Sequence, residues 1–287
     1  MFGRKQLYWM CARLSRRCAH RGAHRRRSEG FNALKQRLVG TGLNINLQKC
    51  SIFTSGNEQL PELLQGIEVN NEGVRILGSP LGTTNEFENK WCQNLVEECA
   101  RDLTALKEYG MEDPQAAFQL LRLCFVPKIN HLLRTVAPDN VRTAAAEHDK
   151  NIWKAFKHIH NLKFRPDDGK QIRIQAGLCA KDGGCGLNYA SDTKEAAYVA
   201  SLAAAIPRMQ QIANRTRHPM SKDLADFNSN HPVMQALRTN RDRLDLQLDD
   251  RPDNPTVPTI SEMNSLNSSG NLQRSLSERL SEVRRKS

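Results

Sequence analysis

Residues 86–108, EFENKWCQNLVEECARDLTALKE, decide the fold class of this chain. Apolar side chains return here every three or four residues, the spacing that places them on one face of an α-helix. They are Phe87, Trp91, Leu95, Val96, Cys99, Leu103 and Leu106. Because the helical pattern continues from Thr84 onward, the sequence predicts a mostly helical protein.

Further helices are predicted downstream of this segment. Asp113 and Pro114 provide an N-cap and a first-turn proline for a helix over 114–126, which Pro127 ends. The same periodicity predicts helices over 139–161, 187–205 and 231–247.

The part of the chain before Thr84 is predicted to form shorter elements of secondary structure. A short amphipathic helix over 31–41 is followed by strand-like pieces at 49–54, 66–69 and 74–78. The turn NNEG at 70–73 separates the last two pieces and predicts a hairpin connection. The predicted fold class is therefore mostly α with a small β portion (α+β).

Composition divides the chain into four segments. Residues 1–30 form a basic leader, predicted to be disordered, and 31–82 hold the short strands. Residues 83–248 form the helical region, and 249–287 form a tail rich in Pro, Asn, Ser and Asp that is predicted to be disordered. The end of that tail carries a one-sided apolar stripe, which predicts a short helix formed on a partner. The stripe consists of Leu272, Leu276, Leu280 and Val283.

The charge of the chain favours a polyanionic partner. The net charge is +11 with a pI near 9.4, and residues 1–30 contribute +8 of it from eight arginines and Lys5 against Glu29. Two interpretations of the leader stay open, a basic nucleic-acid-binding arm and a disordered tail. A zinc site from Cys11, Cys18, His20 and His24 is not predicted, since a single residue separates the second cysteine from the first histidine.

Cysteine usage and hydropathy indicate the cellular compartment of the protein. The eight cysteines show no paired framework, and the N-terminus lacks the apolar core of a secretory signal. No apolar run approaches the ~18–20 residues that span a bilayer. We therefore predict an intracellular protein of the nucleus or cytoplasm, neither secreted nor inserted in a membrane, with reduced thiols.

Several short motifs follow one another in the middle of the chain. They are GLNINLQKC at 42–50, ILGSPLG at 76–82, LLRLCFVPKINHLLRTVAP at 120–138 and GGCGL at 183–187. This succession resembles the downstream part of a reverse transcriptase of the non-LTR retrotransposon type. There the motifs close the palm, form the primer-gripping hairpin region and build the helical thumb. The resemblance covers about residues 31–205.

The resemblance implies roles for three residues of the predicted palm remnant. Lys49 would stand on the pyrophosphate side of the reaction, and Gly78 and Gly82 would let the backbone approach a primer sugar-phosphate closely. The alternatives are a solvated lysine and an ordinary tight turn. Asn46 of the same motif is a turn-capping residue by its type.

A second set of candidate nucleic-acid-binding residues comes from the basic segment after Pro127. Lys128, His131 and Arg134 recur every three residues on one helical face, along a line that a phosphate backbone could follow. A solvated face is the alternative. A thumb helix at an RNA–DNA hybrid would read shape and phosphates rather than bases.

The residues that such an enzyme needs for metal binding are missing. The complete enzyme holds two divalent ions, Mg²⁺ or Mn²⁺, with aspartates that precede the lysine motif. Upstream of Gly42 the chain has one acidic residue, Glu29. The pairs Asp167–Asp168 and Asp249–Asp250 lie downstream of Lys49 without flanking strands, so no metal site, cofactor or catalytic residue is predicted in this chain.

The sequence thus predicts a truncated reverse transcriptase, inert alone, that retains binding to RNA or an RNA–DNA hybrid. Incomplete sheets over 31–82 would leave exposed edges, so poor solubility or partial disorder is expected there. The alternative is a non-enzymatic RNA/DNA-binding or adaptor protein that uses the basic arm and the helical body. Another enzyme class lacks support, since the chain has no P-loop, nucleophile elbow or H-E-x-x-H. His158 and His160, with Lys157 and Lys163, are interpreted as a solvated helix end.

Overall fold

The computed structural model describes residues 22–53, 66–165, 168–248, 258, 262–263 and 271–286. The chain divides into two compact units, Met1–Glu88 and Asn89–Ser287. Most described residues are helical, and the described strands form two small two-stranded sheets. The predicted fold class, mostly α with a small β portion, is confirmed.

Within the described residues, the first unit holds one complete α-helix, the start of a second and four short strands. Helix α1 spans Gly22–Gly40, so nine residues assigned to the leader, 22–30, continue the helix predicted for 31–41; residues 1–21 lie outside the described residues. The strands are β1 (Ser51–Phe53), β2 (Glu68–Asn70), β3 (Gly73–Ile76) and β4 (Ser79–Gly82). β1 and β2 pair in parallel, whereas β3 and β4 pair antiparallel.

The hairpin of this unit differs from the predicted one. The NNEG turn joins β2 and β3, which belong to different sheets, and the hairpin is β3–β4, closed by Leu77 and Gly78. Leu77 has φ +50° and Gly78 has φ +88°. Positive φ at both central residues defines the type I′ turn, whose twist matches that of paired strands. The prediction was wrong because an exposed leucine is not a usual residue for this conformation.

The second unit is built from helices. α2 begins in the first unit and α2–α10 follow in chain order: Asn85–Tyr109, Pro114–Leu120, Asn130–Thr135, Pro138–Ile159, Asp168–Gly177, Ala190–Arg215, Met220–Asp223, Pro232–Leu248 and Leu272–Lys286. Between α3 and α4 the helix changes its winding, with a π-helical turn at Leu121–Phe125 and a 3₁₀ turn at Val126–Ile129. Pro127 accounts for this change, since it has no N–H to donate and its ring crowds the preceding turn.

Helix α7 is the centre of the second unit. Helices α4, α5, α9 and α10 pack against it. Its buried positions are mostly small, which lets its neighbours approach closely. They include Ala190, Ala196, Ala197, Val199, Ala200 and Ala203.

The C-terminal helix corrects the prediction for the tail. α10 packs on α7 and α9 of its own chain, and its leucines are buried in the cluster that those helices share. Leu272, Leu276 and Leu280 are only 2%, 1% and 4% exposed. The predicted amphipathic stripe is therefore present, but the surface that covers it belongs to this chain. Composition suggested a disordered tail because the preceding residues are polar and rich in proline.

Candidate nucleic-acid interface

The segment around Lys49 forms a capped turn. The Asn46 Oδ1 accepts a hydrogen bond from the backbone N–H of Gln48 at 3.0 Å, which starts a 3₁₀ turn over Leu47–Lys49. Cys50 Sγ donates to the Asn46 carbonyl oxygen at 3.3 Å. Asn46 therefore caps a turn, as its residue type predicts. Lys49 is exposed at the end of this turn.

The fold itself requires glycine at the two predicted positions of the hairpin, in one case for backbone conformation and in the other for packing. Gly78 supplies the positive φ of the β3–β4 turn. At Gly82 a Cβ atom would lie 2.9 Å from the Phe87 ring and from the Thr84 carbonyl oxygen. Gly73, its cross-strand partner, is covered by the same ring. The turn conformation accounts for Gly78 and the packing under Phe87 accounts for Gly82, in both cases without a ligand.

The predicted row of donors after Pro127 is only partly available. His131 and Arg134 are exposed on α4. Lys128 lies in the preceding 3₁₀ turn, and its Nζ donates to Asp102 Oδ2 at 2.6 Å. This hydrogen bond raises the pKa of Lys128 and lowers that of Asp102. Two exposed side chains without a partner among the described residues, and one paired lysine, therefore stand where a row of three donors was predicted.

A larger basic surface lies at the C-terminal end of α5. There α5, the segment after it and α6 enclose an open cleft of about 650 Å³. Its lining holds five cations and two aromatic rings. The lining residues are Trp153, Lys157, Leu162, Lys163, Phe164, Arg165, Gly169, Lys170 and Arg173. We call this the α5–α6 cleft.

The way in which α5 ends builds one wall of the cleft. Asn161 takes a left-handed conformation with φ +48°, and its N–H donates to the His158 carbonyl oxygen. The N–H of Leu162 then reaches the Lys157 carbonyl oxygen at 2.9 Å. This is the Schellman arrangement, which reverses the chain after a helix. The reversal carries Phe164 back alongside Trp153.

Three aromatic rings lie in a row from the core to the cleft. Phe156 is buried, and its ring stacks on that of Trp153 with 5.6 Å between centroids and 21° between planes. Trp153 in turn stacks on Phe164 at 5.9 Å and 11°. Trp153 and Phe164 are half-buried and line the cleft. The wall therefore offers aromatic surface held rigidly from behind.

The described lining of the cleft is positively charged. In the part of the chain that the structure describes, none of its five cations forms an ion pair, and no described lining residue is acidic. Lys157 Nζ lies 6.0 Å from the centre of the Trp153 ring, and the Arg173 guanidinium lies 4.9 Å from that of Tyr189. Like charges converging on one concavity favour a polyanionic ligand.

A smaller cavity of about 280 Å³ shares Lys170 and Arg173 with the cleft. Its other side holds Asp149, whose carboxylate accepts hydrogen bonds from the N–H groups of Ala190 (2.7 Å) and Ser191 (2.8 Å). Burial raises the pKa of Asp149, against the effect of the hydrogen bonds from Ser191 and Ala190. This carboxylate caps α7 from a different helix.

The Gly-Gly-x-Gly-Leu motif forms a tightly packed loop after α6. Gly183 and Gly186 have positive φ, and a Cβ on Gly184 would lie 2.1 Å from the Leu178 carbonyl oxygen. A Cβ on Gly186 would meet Nε of Arg122 at 2.9 Å, so this motif contacts the start of the motif at 120–138. The loop closes onto the end of α6 through N–H bonds to carbonyl oxygens of Ala176 and Leu178.

Sequence reasoning missed the cleft because it treated its parts separately. Lys157 and Lys163 were interpreted as a solvated helix end, and α6 was not predicted, since 168–177 shows little helical periodicity. Interleaved basic and aromatic residues over 153–165, WKAFKHIHNLKFR, were the available signal. Asp168, one of the rejected carboxylates, lies in the first turn of α6; Asp167, Asp249 and Asp250 lie outside the described residues.

The described residues hold no group of three or more His, Cys, Asp or Glu side chains placed to bind a metal ion. Within the same residues, no helix combines the length and the apolar character needed to cross a bilayer. Protein-family models, curated proteins and solved structures contain no match to this chain.

Proposed function

We propose that this chain is a fragment of a reverse transcriptase of the non-LTR retrotransposon type, catalytically inert alone, whose second unit binds RNA or an RNA–DNA hybrid. The order of the sequence motifs supports the family assignment. The α5–α6 cleft is the observation that carries the binding function, because five cations without a described acidic partner converge beside aromatic rings.

Cations of the cleft would replace the metal counterions that are condensed on the phosphates of the nucleic acid. Releasing those ions makes binding dependent on salt, with a slope of log K against log[salt] of about −0.7 for each phosphate neutralised on a single strand. Two cleft cations that each contact a phosphate therefore contribute about −1.4 to the slope.

The test compares two variants that lose the same charge. Lys157→Gln/Lys170→Gln removes two cations from the cleft, whereas Arg215→Gln/Lys222→Gln removes two exposed cations outside it. Fluorescence anisotropy with labelled RNA across a salt series gives affinity and slope. We expect the cleft variant to flatten the slope by about 1.4 and the control to change it by less than half of that. Equal effects of the two variants would contradict binding at the cleft.

The alternative, a non-enzymatic RNA/DNA-binding or adaptor protein that uses the basic arm and the helical body, is tested by deleting residues 1–30. Under our proposal the deletion lowers the salt slope and leaves RNA binding in place, since the cleft remains. Loss of all binding would favour the adaptor. Primer extension with Mg²⁺ or Mn²⁺ tests inertness separately, and templated product would contradict it.

A further inference from the structure

The three stacked rings give the α5–α6 cleft a feature that phosphate binding alone does not need. Phe156 and Trp153 belong to the hydrophobic core or pack against it, whereas Phe164 lies outside that cluster. Phe164 is half-buried and lines the cleft, so part of its ring is open to a ligand. An aromatic face in this position can extend its stack by one more planar group.

The cations surround these rings from two directions. Lys157, Lys163 and Arg165 belong to the α5 side, and Lys170 and Arg173 belong to α6. A volume of about 650 Å³ lies within the range of about 300–1,000 Å³ that is usual for ligand sites. Stacking surface with phosphate-binding cations around it is the arrangement by which proteins hold unpaired nucleotides.

We propose that the α5–α6 cleft selects single-stranded nucleic acid over a duplex by stacking an unpaired base on the Phe164–Trp153 wall. The inference rests on the proposed nucleic-acid binding and adds its substrate class. A duplex keeps its base faces stacked inside the helix, so it offers this wall only phosphates. A single strand offers both phosphates and base faces, and each stacked base is worth roughly a 5- to 150-fold gain in affinity.

The experiment uses the full chain with two probes, a fluorescein-labelled oligouridine and an RNA duplex of the same length. Phe164→Leu removes the aromatic face, and Phe164→Trp keeps one. Phe227→Leu is the matched control, because Phe227 is also half-buried beside a cation, Arg238, but lies outside the cleft. Near-UV circular dichroism of each variant verifies that the core remains packed.

We expect Phe164→Leu to weaken oligouridine binding at least 5-fold with an unchanged salt slope, and to leave duplex binding within twofold. Phe164→Trp retains single-strand affinity, and Phe227→Leu changes neither probe. Equal loss on both probes, or no loss on either, overturns the single-strand inference. If Lys157→Gln/Lys170→Gln still weakens both probes in that case, the proposed nucleic-acid binding stands; if it weakens neither, both proposals fail.

Discussion

Leu77 takes a left-handed backbone conformation at the tip of the β3–β4 hairpin, with φ +50° and 65% of its surface exposed. An L-residue other than Gly, Asn or Asp pays about 1–2 kcal/mol for this conformation. Asn–Gly is the preferred pair for a type I′ turn. At this position the side chain buries little surface that would compensate for the backbone cost.

We therefore expect Leu77→Asn to stabilise the hairpin by about 1 kcal/mol. Gly78→Ala should destabilise it by a similar amount, since Gly78 has φ +88°. Amide hydrogen exchange over 73–82 measures both, as slower exchange in the first variant and faster exchange in the second. Faster exchange in Leu77→Asn would show that the leucine has a partner that outweighs the backbone cost.

His148 gives the second unit a sensitivity to acid. Its ring is 2% exposed, and Nε2 lies 3.3 Å from the Val126 carbonyl oxygen, to which it donates as the neutral tautomer protonated there. Burial lowers the pKa of His148, and the nearby charge of Lys128 adds to this. The unfolded chain therefore binds the proton more readily than the folded chain does. The contribution of His148 to stability is complete above about pH 6.5 and falls as the pH drops towards its lowered pKa.

We predict that the urea midpoint of the wild type falls between pH 7 and pH 5 by more than that of His148→Gln, in which this proton cannot bind. His131→Gln, a change of an exposed histidine, should keep the wild-type pH dependence. Urea unfolding followed by circular dichroism at both pH values measures the difference. Parallel pH profiles for the wild type and His148→Gln would assign the acid sensitivity to other groups.

Local residue roles were readable from the sequence, whereas distant pairings were not. Asp113 caps α3 by accepting from the N–H of Ala116 at 2.9 Å, three residues away, as predicted. Lys128 pairs with Asp102, 26 residues earlier, so its spacing within the basic segment could not show that its charge is already matched. A helix cap can be predicted from residues that are neighbours in the sequence. An ion pair between distant residues can be identified only once the fold is known.

At the scale of elements, clear periodicity predicted the bounds of two helices to within one residue, whereas a helix without clear periodicity was missed. The helix predicted over 86–108 is α2, Asn85–Tyr109, and that over 231–247 is α9, Pro232–Leu248. The helix predicted over 114–126 is α-helical only to Leu120, because Pro127 alters the winding before it. α6 has two glycines and no regular apolar face, so the wall of the cleft that it forms was not predicted.

The packing of α10 predicts a contrast between two leucines. Leu276 is 1% exposed in the cluster shared with α7 and α9, and Leu246 on α9 is 80% exposed. Leu276→Ala should lower the free energy of unfolding by about 2–4 kcal/mol, because it leaves a cavity. Leu246→Ala should change it by less than about 0.5 kcal/mol. Chemical denaturation measures both, and a small effect at Leu276 would mean that α10 detaches readily.

On the scale of the whole molecule, the two units differ in how much apolar surface they bury. Among the described residues up to Glu88, the buried hydrophobic side chains are Ile67 and Val74. Large apolar side chains are exposed there instead: Val39, Leu43, Leu47, Val69 and Leu77. Two-stranded sheets are marginally stable in water on their own. The second unit, by contrast, has three buried clusters of hydrophobic residues.

We expect amide hydrogens of 31–53 and 66–82 to exchange much faster than those of α5 and α7, which exchange only through global unfolding. Hydrogen-exchange mass spectrometry compares these regions in one sample, so α5 and α7 serve as the internal control. Joint cooperative exchange of both units, in a monodisperse protein, would count against an incomplete palm. The fold class was predictable because the helical spacing of apolar residues is clear along most of the second unit. The position of the cleft was not predictable, because it depends on the packing of α5 beside α6, which no local sequence pattern encodes.

Asp149 makes two distant helices a single cooperative element. Its carboxylate lies on α5 and accepts hydrogen bonds from two N–H groups in the first turn of α7. These N–H groups are 41 and 42 residues later in the sequence. Detaching either helix breaks both of these hydrogen bonds. Helices usually begin to unfold at their ends. The first turn of α7 is therefore expected to fray more readily when α5 is not docked beside it. The cap exists only once both helices have docked.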